Sequence, residues 1–395
     1  MNGEDGLRLV RSRQETRAAI LGYLWCSGGS FRPDLAQGVA LTEASISRII
    51  SDLKAEGVIQ ESRRAVPYRG GPSQFVTLSS AIAVAAIEIS NNRLYAAIGT
   101  LAGETLYAQP HELPDGLGAP DVSATIARTV GELGGWATRN GIALEQLAVS
   151  IPGYDPESRA SPIVALDAAE LADVVQRALP GTPTRMTNSM VARAVGHRLQ
   201  MGTGVLGGSY FFVFVGHGVG AAIVDELAES GDVETCEIGH VVIERGGRCC
   251  RCGHGGCLEP YVSTVALADI LRVQESELIG AGDRWPEIYR ISSAARAEIR
   301  ARLARLGLAI GNALNLNRQR NVVIAGWPSA LPAEDRAIVM AAIGESRLGG
   351  LQGITLSFSE ASLGREPQAG LALAAFSFIR RSGARRAQLK QSISS

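Results

Sequence analysis

The chain has 395 residues, a formal net charge of −1, 46% hydrophobic residues and 19% charged residues. A chain of this length is longer than a single hydrophobic core usually accommodates, so it indicates two or three domains. A net charge this close to zero excludes a whole-chain electrostatic field for nucleic acid or membranes, so a DNA-binding role requires a local patch. No apolar run reaches the roughly 18 residues of a membrane span, and the polar N-terminal stretch lacks the apolar core of a signal peptide. The expected compartment is therefore the cytoplasm, with no membrane partner.

Residues 1–80 follow the pattern of three short helices and a β-hairpin. Helices are predicted in QETRAAILGYLWCSGG, RPDLAQGV and LTEASISRIISDLKAEGVI, where apolar residues recur at helical spacing. Thr42 can cap the third helix and Gly57 can end it. Two strands around a Gly/Pro/Arg-rich turn follow in GVIQESRRAVPYRGGPSQFVTLSS. This order is typical of a winged helix-turn-helix.

In a winged helix-turn-helix, the third helix enters the major groove and the hairpin contacts the DNA backbone or the minor groove. The segment carries ten Arg or Lys against eight Asp or Glu, so its positive excess is slight. The alternative is a three-helix dimerisation or regulatory module that does not contact DNA. The predicted DNA-binding residues are Ser45, Ser47, Arg48, Arg63, Arg64 and Arg69.

From about residue 81, the pattern changes to strands that alternate with helices. Strands are predicted in AIAVAAIEISNNRLYAAIGTLAGETLYAQ, LAVSIPG, YFFVFVGHGVGAAIV and NVVIAGW. Helices are predicted in DVSATIARTVGELGGWATRNG and EIRARLARLGLAIGNALNLN. Buried strands in alternation with helices indicate an α/β fold, and repeated glycine turns at strand ends indicate a ligand across the carboxyl ends of the strands.

Four of the six cysteines lie within GGRCCRCGHGGCLE. The stretch could be a disulfide knot, a redox site, a metal knuckle or part of a wall around another site. Thiols stay reduced in the cytoplasm, so disulfides are the less favoured interpretation. Cys250, Cys252 and Cys257 follow the spacing C-x-C-x4-C, and His240 precedes them in CEIGHVVI. Zinc favours four thiolate or imidazole ligands in a tetrahedron. Cys249 is adjacent to Cys250 and cannot easily point at the same ion, so it is predicted to be a spare thiol.

The combination EIGH…CRCGHGGCLE resembles the ROK family, named for repressors, open reading frames and sugar kinases. The resemblance covers nearly the whole chain and includes the Pro-Gly strand end, the glycine turn GHGVG and the segments VVIAGW and LGREPQAG. It implies an actin-like, ribonuclease H-like fold of two α/β lobes, the two-lobed sugar-kinase fold, preceded by a winged helix-turn-helix. The implied domains are residues 1–80 for DNA binding, 81–190 for the first lobe, to which 366–395 return, and 191–365 for the second lobe with the knuckle.

The resemblance also assigns roles by position. It implies a structural Zn²⁺ held by His240, Cys250, Cys252 and Cys257, and sugar hydroxyls bound by Asn188, Glu237, His240 and Glu259. An ion that links His240 to the loop before Glu259 would fix the positions of these groups relative to one another. A ligating histidine also keeps its second ring nitrogen for a hydrogen bond. For the two glutamates, the alternative is an ordinary solvated acid or a helix cap.

ROK kinases need a general base, glycine turns near the phosphates and a slot for adenine, and this chain departs from each. Asn188 is followed by Ser189, where the kinases have an aspartate base. The first phosphate loop reads EISNN, with Ser90 in place of a glycine. His217 replaces a small hydroxyl residue in GHGVG, and Trp327 lies in a turn expected to face the adenosine. These departures predict a protein that is not an enzyme.

The sequence therefore predicts a sugar-responsive transcriptional regulator, a repressor of carbohydrate-utilisation genes that a sugar or sugar phosphate releases from operator DNA. Two-fold symmetry would match a palindromic operator, so the expected assembly is a homodimer or a dimer of dimers. The departures from the kinases leave the effector open among an unusual sugar, a polyol, a sugar phosphate or none. The alternatives are an ATP-dependent sugar kinase with an N-terminal regulatory domain and a sugar-sensing protein that does not bind DNA.

Overall fold

The computed structural model of the protein describes residues 13–66, 69–90, 93–113, 122–201, 209–224, 233–279, 284–288, 293–359 and 367–393. Its N-terminal part contains the three helices and the hairpin that the sequence predicted. The elements are α1 (Arg13–Ser27), β1 (Ser30–Phe31), α2 (Arg32–Gly38), α3 (Glu43–Ala55), β2 (Ile59–Val66) and β3 (Arg69–Leu78). The three strands form one sheet in the order β1-β3-β2. The Thr42 hydroxyl accepts the Ser45 N–H at 3.2 Å and begins α3, and Gly57 follows its end with a φ of +72°. Both features were predicted from the sequence.

The first lobe is a five-stranded sheet with helices packed on it. Its elements are β4 (Ala83–Ser90), β5 (Arg93–Thr100), β6 (Thr105–Glu112), α4 (Val122–Arg139), β7 (Leu144–Ile151), α5 (Ala168–Ala178) and β8 (Thr184–Asn188). The strand order is β6-β5-β4-β7-β8, in which β4, β7 and β8 run parallel. Every residue of β4 is buried. The apolar face of α4, with Ile126, Val130 and Leu133, covers the sheet because these residues recur at helical spacing.

The second lobe repeats this design. Its strands are β9 (Tyr210–Val215), β10 (Val219–Val224), β11 (Val233–Cys236), β12 (Asn321–Gly326) and β13 (Thr355–Ser359), in the order β11-β10-β9-β12-β13. Its helices are α7 (Glu259–Val262), α8 (Thr264–Leu271), α9 (Glu275–Ile279), α10 (Trp285–Ile288), α11 (Ser293–Leu316) and α12 (Ala333–Ser346). The long α11 packs closely on α12, since a Cβ on Gly307 would lie 2.5 Å from the Val339 carbonyl oxygen.

The turn after β12 buries the side chain of Trp327. Its ring is 0% exposed, its Nε1–H donates to the Val262 carbonyl at 2.8 Å, and it stacks on Trp285 with 6.3 Å between ring centroids. Gly326 adopts a φ of +94°, and a Cβ there would lie 2.0 Å from the Val215 carbonyl oxygen. This turn directs the tryptophan into the core of the second lobe.

One apolar core joins the N-terminal elements α1–β3 to the first lobe. The helix α6 (Ser189–Met201) and the C-terminal α13 (Gln368–Ile393) pack on each other, and α13 also packs on α1, β4 and β7. The residues 79–82 that connect β3 to β4 are hydrogen-bonded at both ends: the Ser79 N–H donates to Val58 and the Leu101 N–H donates to Ile82. The buried side chains of this shared core include Ile20, Leu21, Leu24, Val195, Leu373 and Phe378.

The three sheets occupy residues 30–78, 83–188 and 210–359. The exact domain boundaries at residues 80, 190 and 365 stay predictions. Within the described ranges, the structure contains no helix with the length and apolarity that a membrane crossing requires.

Candidate metal centre and effector site

The structure brings the four predicted metal ligands together. One donor atom from each of His240, Cys250, Cys252 and Cys257 lies within 4.8 Å of the others. The Cys250 Sγ is 3.5 Å from the His240 Nδ1, and the Cys252 Sγ is 3.7 Å from the Cys257 Sγ. A tetrahedral zinc ion with its usual bond lengths has S–S edges of about 3.8 Å and S–N edges of about 3.6 Å. The four donors therefore fit around one metal ion of this size.

Glycines and short backbone bridges fold the knuckle. The bridge between Val242 and Cys257 and the bridge between Cys249 and Gly255 bring its two halves together. Gly256 has a φ of +85°, and a Cβ there would lie 1.7 Å from a backbone oxygen of residue 244. Only glycine permits this approach, which places the last cysteine beside the others. The Cys249 thiol is exposed, and it is not a member of the donor group found among the described residues.

The three thiols of the donor group differ in pKa. The backbone N–H of His254 lowers the pKa of Cys252 to about 6, so this sulfur is anionic at neutral pH. Burial raises the pKa of Cys257 to about 12 and also raises the pKa of Cys250, so without a metal these two thiols keep their protons. Metal ligation requires thiolates, so a bound ion would displace both protons.

Glu259 connects the knuckle to the glycine turn between β9 and β10. It is 8% exposed, its Oε2 accepts the Val219 N–H at 3.0 Å, and its Oε1 accepts from the Arg251 Nη2 at 3.1 Å. Arg251 lies between two of the knuckle cysteines. Glu259 is therefore a buried carboxylate with a fixed orientation, and the alternative of a solvated acid does not apply to it.

The other two predicted effector residues lie on different elements. Asn188 ends β8, is 5% exposed, and its Oδ1 accepts the Met190 N–H at 2.9 Å at the start of α6. Met190 packs on the glycine turn, since a Cβ on Gly220 would lie 2.8 Å from the Met190 Cγ. Glu237 is exposed and immediately precedes the 3₁₀ turn that carries His240, next to β10. Asn188 is thus linked to the glycine turn through Met190, and Glu237 adjoins the 3₁₀ turn that contacts β10.

A hydrogen-bonded network that the sequence did not predict surrounds the same turn. The His217 Nδ1 is 2.8 Å from the Glu275 Oε1, and the His217 Nε2 is 3.2 Å from the Arg251 Nη1. The Thr264 hydroxyl donates to the same oxygen of Glu275 at 2.5 Å. Burial alone would raise the pKa of Glu275, but the hydrogen bonds from His217 and Thr264 outweigh burial and lower it. Sequence spacing carries no signal for Glu275, because it lies 58 residues beyond its histidine partner.

A buried ion pair lies where the first phosphate loop was expected. Glu88 on β4 is 0% exposed, and its Oε2 accepts the Gly370 N–H at 3.1 Å. The Arg193 guanidinium on α6 is 3.8 Å from Glu88, donates to the Ser90 hydroxyl at 2.9 Å and stacks 4.1 Å over the Phe214 ring on β9. Ser90 is thus engaged by a side chain of the protein, and Arg193 contacts elements of both lobes.

The predicted DNA-binding residues lie on the third helix and the hairpin. Ser45 and Arg48 are exposed on α3, whereas Ser47 is half-buried and its hydroxyl donates to the Glu43 carbonyl at 2.7 Å. The apolar stripe of α3 faces inward, with Ile46 and its neighbours buried. The solvent face of α3 therefore carries Ser45 and Arg48.

On the hairpin, Arg63 and Arg64 are exposed on β2, and the Arg64 guanidinium lies 4.0 Å over the Phe75 ring of β3. Arg69 begins β3, and its side chain lies outside the described residues. Two of the three predicted arginines are therefore placed on one exposed strand next to α3.

Comparisons with known proteins agree with this fold. The ROK family profile matches residues 84–342. The chain is 23% identical over 278 residues to the DNA-binding transcriptional repressor Mlc of Escherichia coli, covering 67% of each chain. It is 20% identical over 320 residues to the xylose repressor of Caldicellulosiruptor bescii, covering 75% of this chain and 79% of that one.

A solved structure of a ROK family transcriptional regulator, described as a homologue of the Escherichia coli MLC protein, has the same fold. It superimposes with a TM-score of 0.69 at 21% identity, over 93% of this chain and 99% of that chain. The superposition thus extends beyond residues 84–342, which the family profile matches. The profile match over more than half of the chain shows that the protein belongs to the ROK family.

Proposed function

We propose that this protein is a sugar-responsive transcriptional repressor that binds operator DNA and acts on carbohydrate-utilisation genes. The observation that carries the proposal is a winged helix-turn-helix, with its third helix exposed, packed directly on a ROK fold. Similarity to two proteins named as repressors supports it. The residues assigned to DNA are Ser45, Ser47, Arg48, Arg63, Arg64 and Arg69.

As a homodimer, the protein would present two copies of α3 to a palindromic operator, with half-sites about one helical turn or a multiple of it apart. Arg48 is exposed on α3 and is assigned to a base edge. Arg63 and Arg64 on β2 are assigned to phosphates, which position the protein without reading sequence.

The effector site is assigned to Asn188, Glu237, His240 and Glu259. A buried carboxylate with a fixed orientation accepts hydrogen bonds from neighbouring sugar hydroxyls, and Glu259 is such a group. An asparagine side chain both donates and accepts, so Asn188 can bind a third hydroxyl.

Zn²⁺ is the metal assigned to the knuckle, because three thiolates and one imidazole are a ligand set that zinc favours in closed structural sites. When bound, the ion supplies a cross-link between the 3₁₀ turn and the loop before Glu259. The His240 Nδ1 faces Cys250, which leaves Nε2 for a sugar hydroxyl.

The helix α6 connects this site to the DNA-binding domain. It begins immediately after Asn188 and packs on α1 of the winged helix-turn-helix. On its other side, the Ala194 carbonyl accepts the Tyr210 hydroxyl of the second lobe at 3.1 Å. A ligand that draws the lobes together would shift α6 and, with it, α1. The ligand can favour the released state only by as much as it prefers that state.

Neither phosphoryl transfer nor ATP binding is assigned to this site. The aspartate base of the kinases is replaced by Ser189, and a serine near its ordinary ionisation cannot take a proton from a sugar hydroxyl. The Glu88–Arg193 pair and the Glu259–Val219 bond engage protein groups where a nucleotide would need free donors.

The test is fluorescence anisotropy of a labelled DNA fragment from upstream of the gene for this protein. We expect binding that weakens as salt rises, because neutralised phosphates release counterions, and release by a compound from a panel of sugars, polyols and sugar phosphates. Binding no tighter than to a scrambled fragment, here and at other sugar-gene promoters, would contradict the proposal. Release of ADP from ATP with a hexose would instead establish a kinase.

A further inference from the structure

We infer that Arg193 is a positioning residue that couples the glycine turn after β9 to the helix α3, through its stack on Phe214 and its ion pair with the buried Glu88. The inference rests on the proposed function, because it concerns how the effector site and the DNA-binding elements of the same protein influence each other. The connection runs from the second lobe through Arg193 into the first lobe, and from there through α13 and α1 to α3.

The connection begins at the Phe214 ring, which lies on β9 two residues before the glycine turn. This ring packs on the turn itself, since a Cβ on Gly216 would lie 2.6 Å from the Phe214 Cε1. The Arg193 guanidinium of α6 lies 4.1 Å from the centroid of the same ring, and a cation within about 6 Å of an aromatic face is attracted to it. A displacement of the turn therefore moves the ring on which Arg193 stacks.

On the first lobe, Arg193 contacts β4. Its Nη2 donates to the Ser90 hydroxyl at 2.9 Å and lies 3.8 Å from the Glu88 Oε1, and the side chains of Arg193 and Glu88 are 6% and 1% exposed. A charge this deeply buried is strongly destabilising without its partner, so Arg193 stays with Glu88 when the lobes move. The guanidinium then either loses the Phe214 ring or shifts Glu88 together with it. These are the two arrangements that a coupling element requires.

Glu88 in turn holds the start of α13. Its Oε2 accepts the Gly370 N–H at 3.1 Å, and α13 approaches β4 closely at this point, since a Cβ on Gly370 would lie 3.0 Å from the Ala86 Cβ. Farther along the same helix, Leu373 and Phe378 belong to the apolar core that includes the buried side chains of α1. A shift of Glu88 therefore acts on α1 through one continuous helix.

Ion pairs connect α1 to α3. Arg17 on α1 is 4% exposed, and its Nη1 donates at 3.2 Å to the Oε1 of Glu56, the residue that follows α3. A second ion pair joins Arg13 of α1 to Asp52 of α3. The position of α3, and with it that of Arg48, therefore depends on α1.

The planar guanidinium allows one side chain to contact both lobes. It pairs with a carboxylate through its N–H groups while its flat face stacks on an aromatic ring, whereas a lysine ammonium is a compact point charge. Arg193→Lys should therefore keep a cation beside Glu88 and lose the stack on Phe214. Phe214→Leu removes the same contact from the second lobe and leaves the ion pair in place.

The experiment is hydrogen exchange of the full chain, measured by mass spectrometry with and without a saturating amount of the upstream DNA fragment. Coupling between two sites acts in both directions, so DNA bound at α3 must also act on the glycine turn. In the wild type, we expect DNA to slow exchange in the peptide of residues 210–224 about fivefold or more. Arg193→Lys and Phe214→Leu should each remove most of this effect, and urea unfolding identifies the variants that fold.

The matched control is Phe358→Leu, which removes the ring that lies 5.2 Å from the Arg336 guanidinium. Both residues of this pair belong to the second lobe, on β13 and α12, so the variant should keep the wild-type response. No response in the wild type, a response retained in either folded variant, or an equal loss in the control would overturn the inference and leave a sugar-responsive repressor intact. If neither the upstream fragment nor other sugar-gene promoters bind more tightly than a scrambled fragment, the proposed function itself fails, and the inference fails with it.

Discussion

At the scale of single residues, the site depends on groups whose partners are fixed. Glu259 has a backbone donor and an arginine, and three cysteines and a histidine surround one small volume. Such fixed groups lose little conformational freedom when a ligand or metal binds, which is the benefit of preorganisation.

For DNA, Arg48→Ala should weaken operator binding by about 1–3 kcal/mol and relax specificity at one base pair. Arg63→Ala and Arg64→Ala should weaken binding to all sequences alike and lower the slope of affinity against salt. Anisotropy titrations with single-base operator variants at several salt concentrations measure both effects. Arg177→Ala, an exposed charge loss on α5 of the first lobe, is the control. Equal losses on all sequences for Arg48→Ala would contradict its assigned role.

For the metal, Cys257→Ser should reduce bound zinc from about one ion per chain to a small fraction and lower the temperature of unfolding, because structural zinc contributes directly to folding. Cys249→Ser should keep the zinc, since this thiol is exposed outside the donor group. Elemental analysis and thiol titration of the purified proteins measure both outcomes. Zinc retained in Cys257→Ser would remove this cysteine from the ligand set.

At the scale of elements, α6 carries two buried polar groups at the junction of the lobes. Arg193 pairs with Glu88, with side-chain exposures of 6% and 1%. His197 is 4% exposed, and its Nδ1 is 3.0 Å from the Ser359 hydroxyl of β13. Both residues connect α6 to sheets on either side of it. The stability of this helix in its present position therefore depends on electrostatics as well as on packing.

Arg193→Met should destabilise the protein by about 3–5 kcal/mol, because it leaves the Glu88 charge buried without its cation. Adding Glu88→Gln to this variant should restore part of the loss, since no charge then remains at the site. Urea unfolding of the two single variants and the double variant measures the coupling. Additive losses would show that the ion pair contributes nothing specific.

His197 predicts a dependence of stability on pH. Burial lowers its pKa to about 4 in the folded protein, whereas an unfolded histidine titrates near 6.5. Between these values the unfolded chain binds more protons, so stability falls as the pH falls from about 6.5 toward 4. From pH 7 to pH 5, His197→Gln should lose about 2 kcal/mol less stability than the wild type. His111→Gln is the control, and urea midpoints at both pH values measure the difference.

Much of this architecture follows from local sequence patterns, and the long-range contacts do not. Thr42 and Gly57 bound α3 as predicted, because capping and helix termination depend on neighbouring residues. The knuckle spacing likewise brings three sulfurs to one place. The contact of His217 with Glu275 and the burial of Trp327 depend instead on how α9 and the turn after β12 meet the core. The spacing of apolar residues along the sequence does not predict contacts between residues that lie far apart in the chain.

At the scale of the whole molecule, the N-terminal elements α1–β3 and the first lobe share one core. Side chains of α1 pack with those of α6 and α13, so removal of residues 1–80 would expose a large apolar surface. The isolated fragment 81–395 should therefore aggregate or bind a hydrophobic dye. In the full chain, the backbone amides of α1 and α13 should exchange with the same free energy of opening, because the two helices would unfold together. A soluble, monodisperse fragment with native circular dichroism would contradict this shared core.

The four-residue connection from β3 to β4 has a consequence for the DNA. Residues 79–82 are hydrogen-bonded at both ends, so the connection between the N-terminal domain and the first lobe is short and fixed. A dimer would therefore hold its two copies of α3 at one distance and one angle about the DNA axis. Insertion of about five base pairs between the half-sites, half a turn of B-DNA, would place the second half-site on the opposite face of the duplex. The protein would then bind one half-site only. Insertion of a full turn would return both half-sites to the same face of the DNA but at a larger distance, so it would not fully restore binding to both.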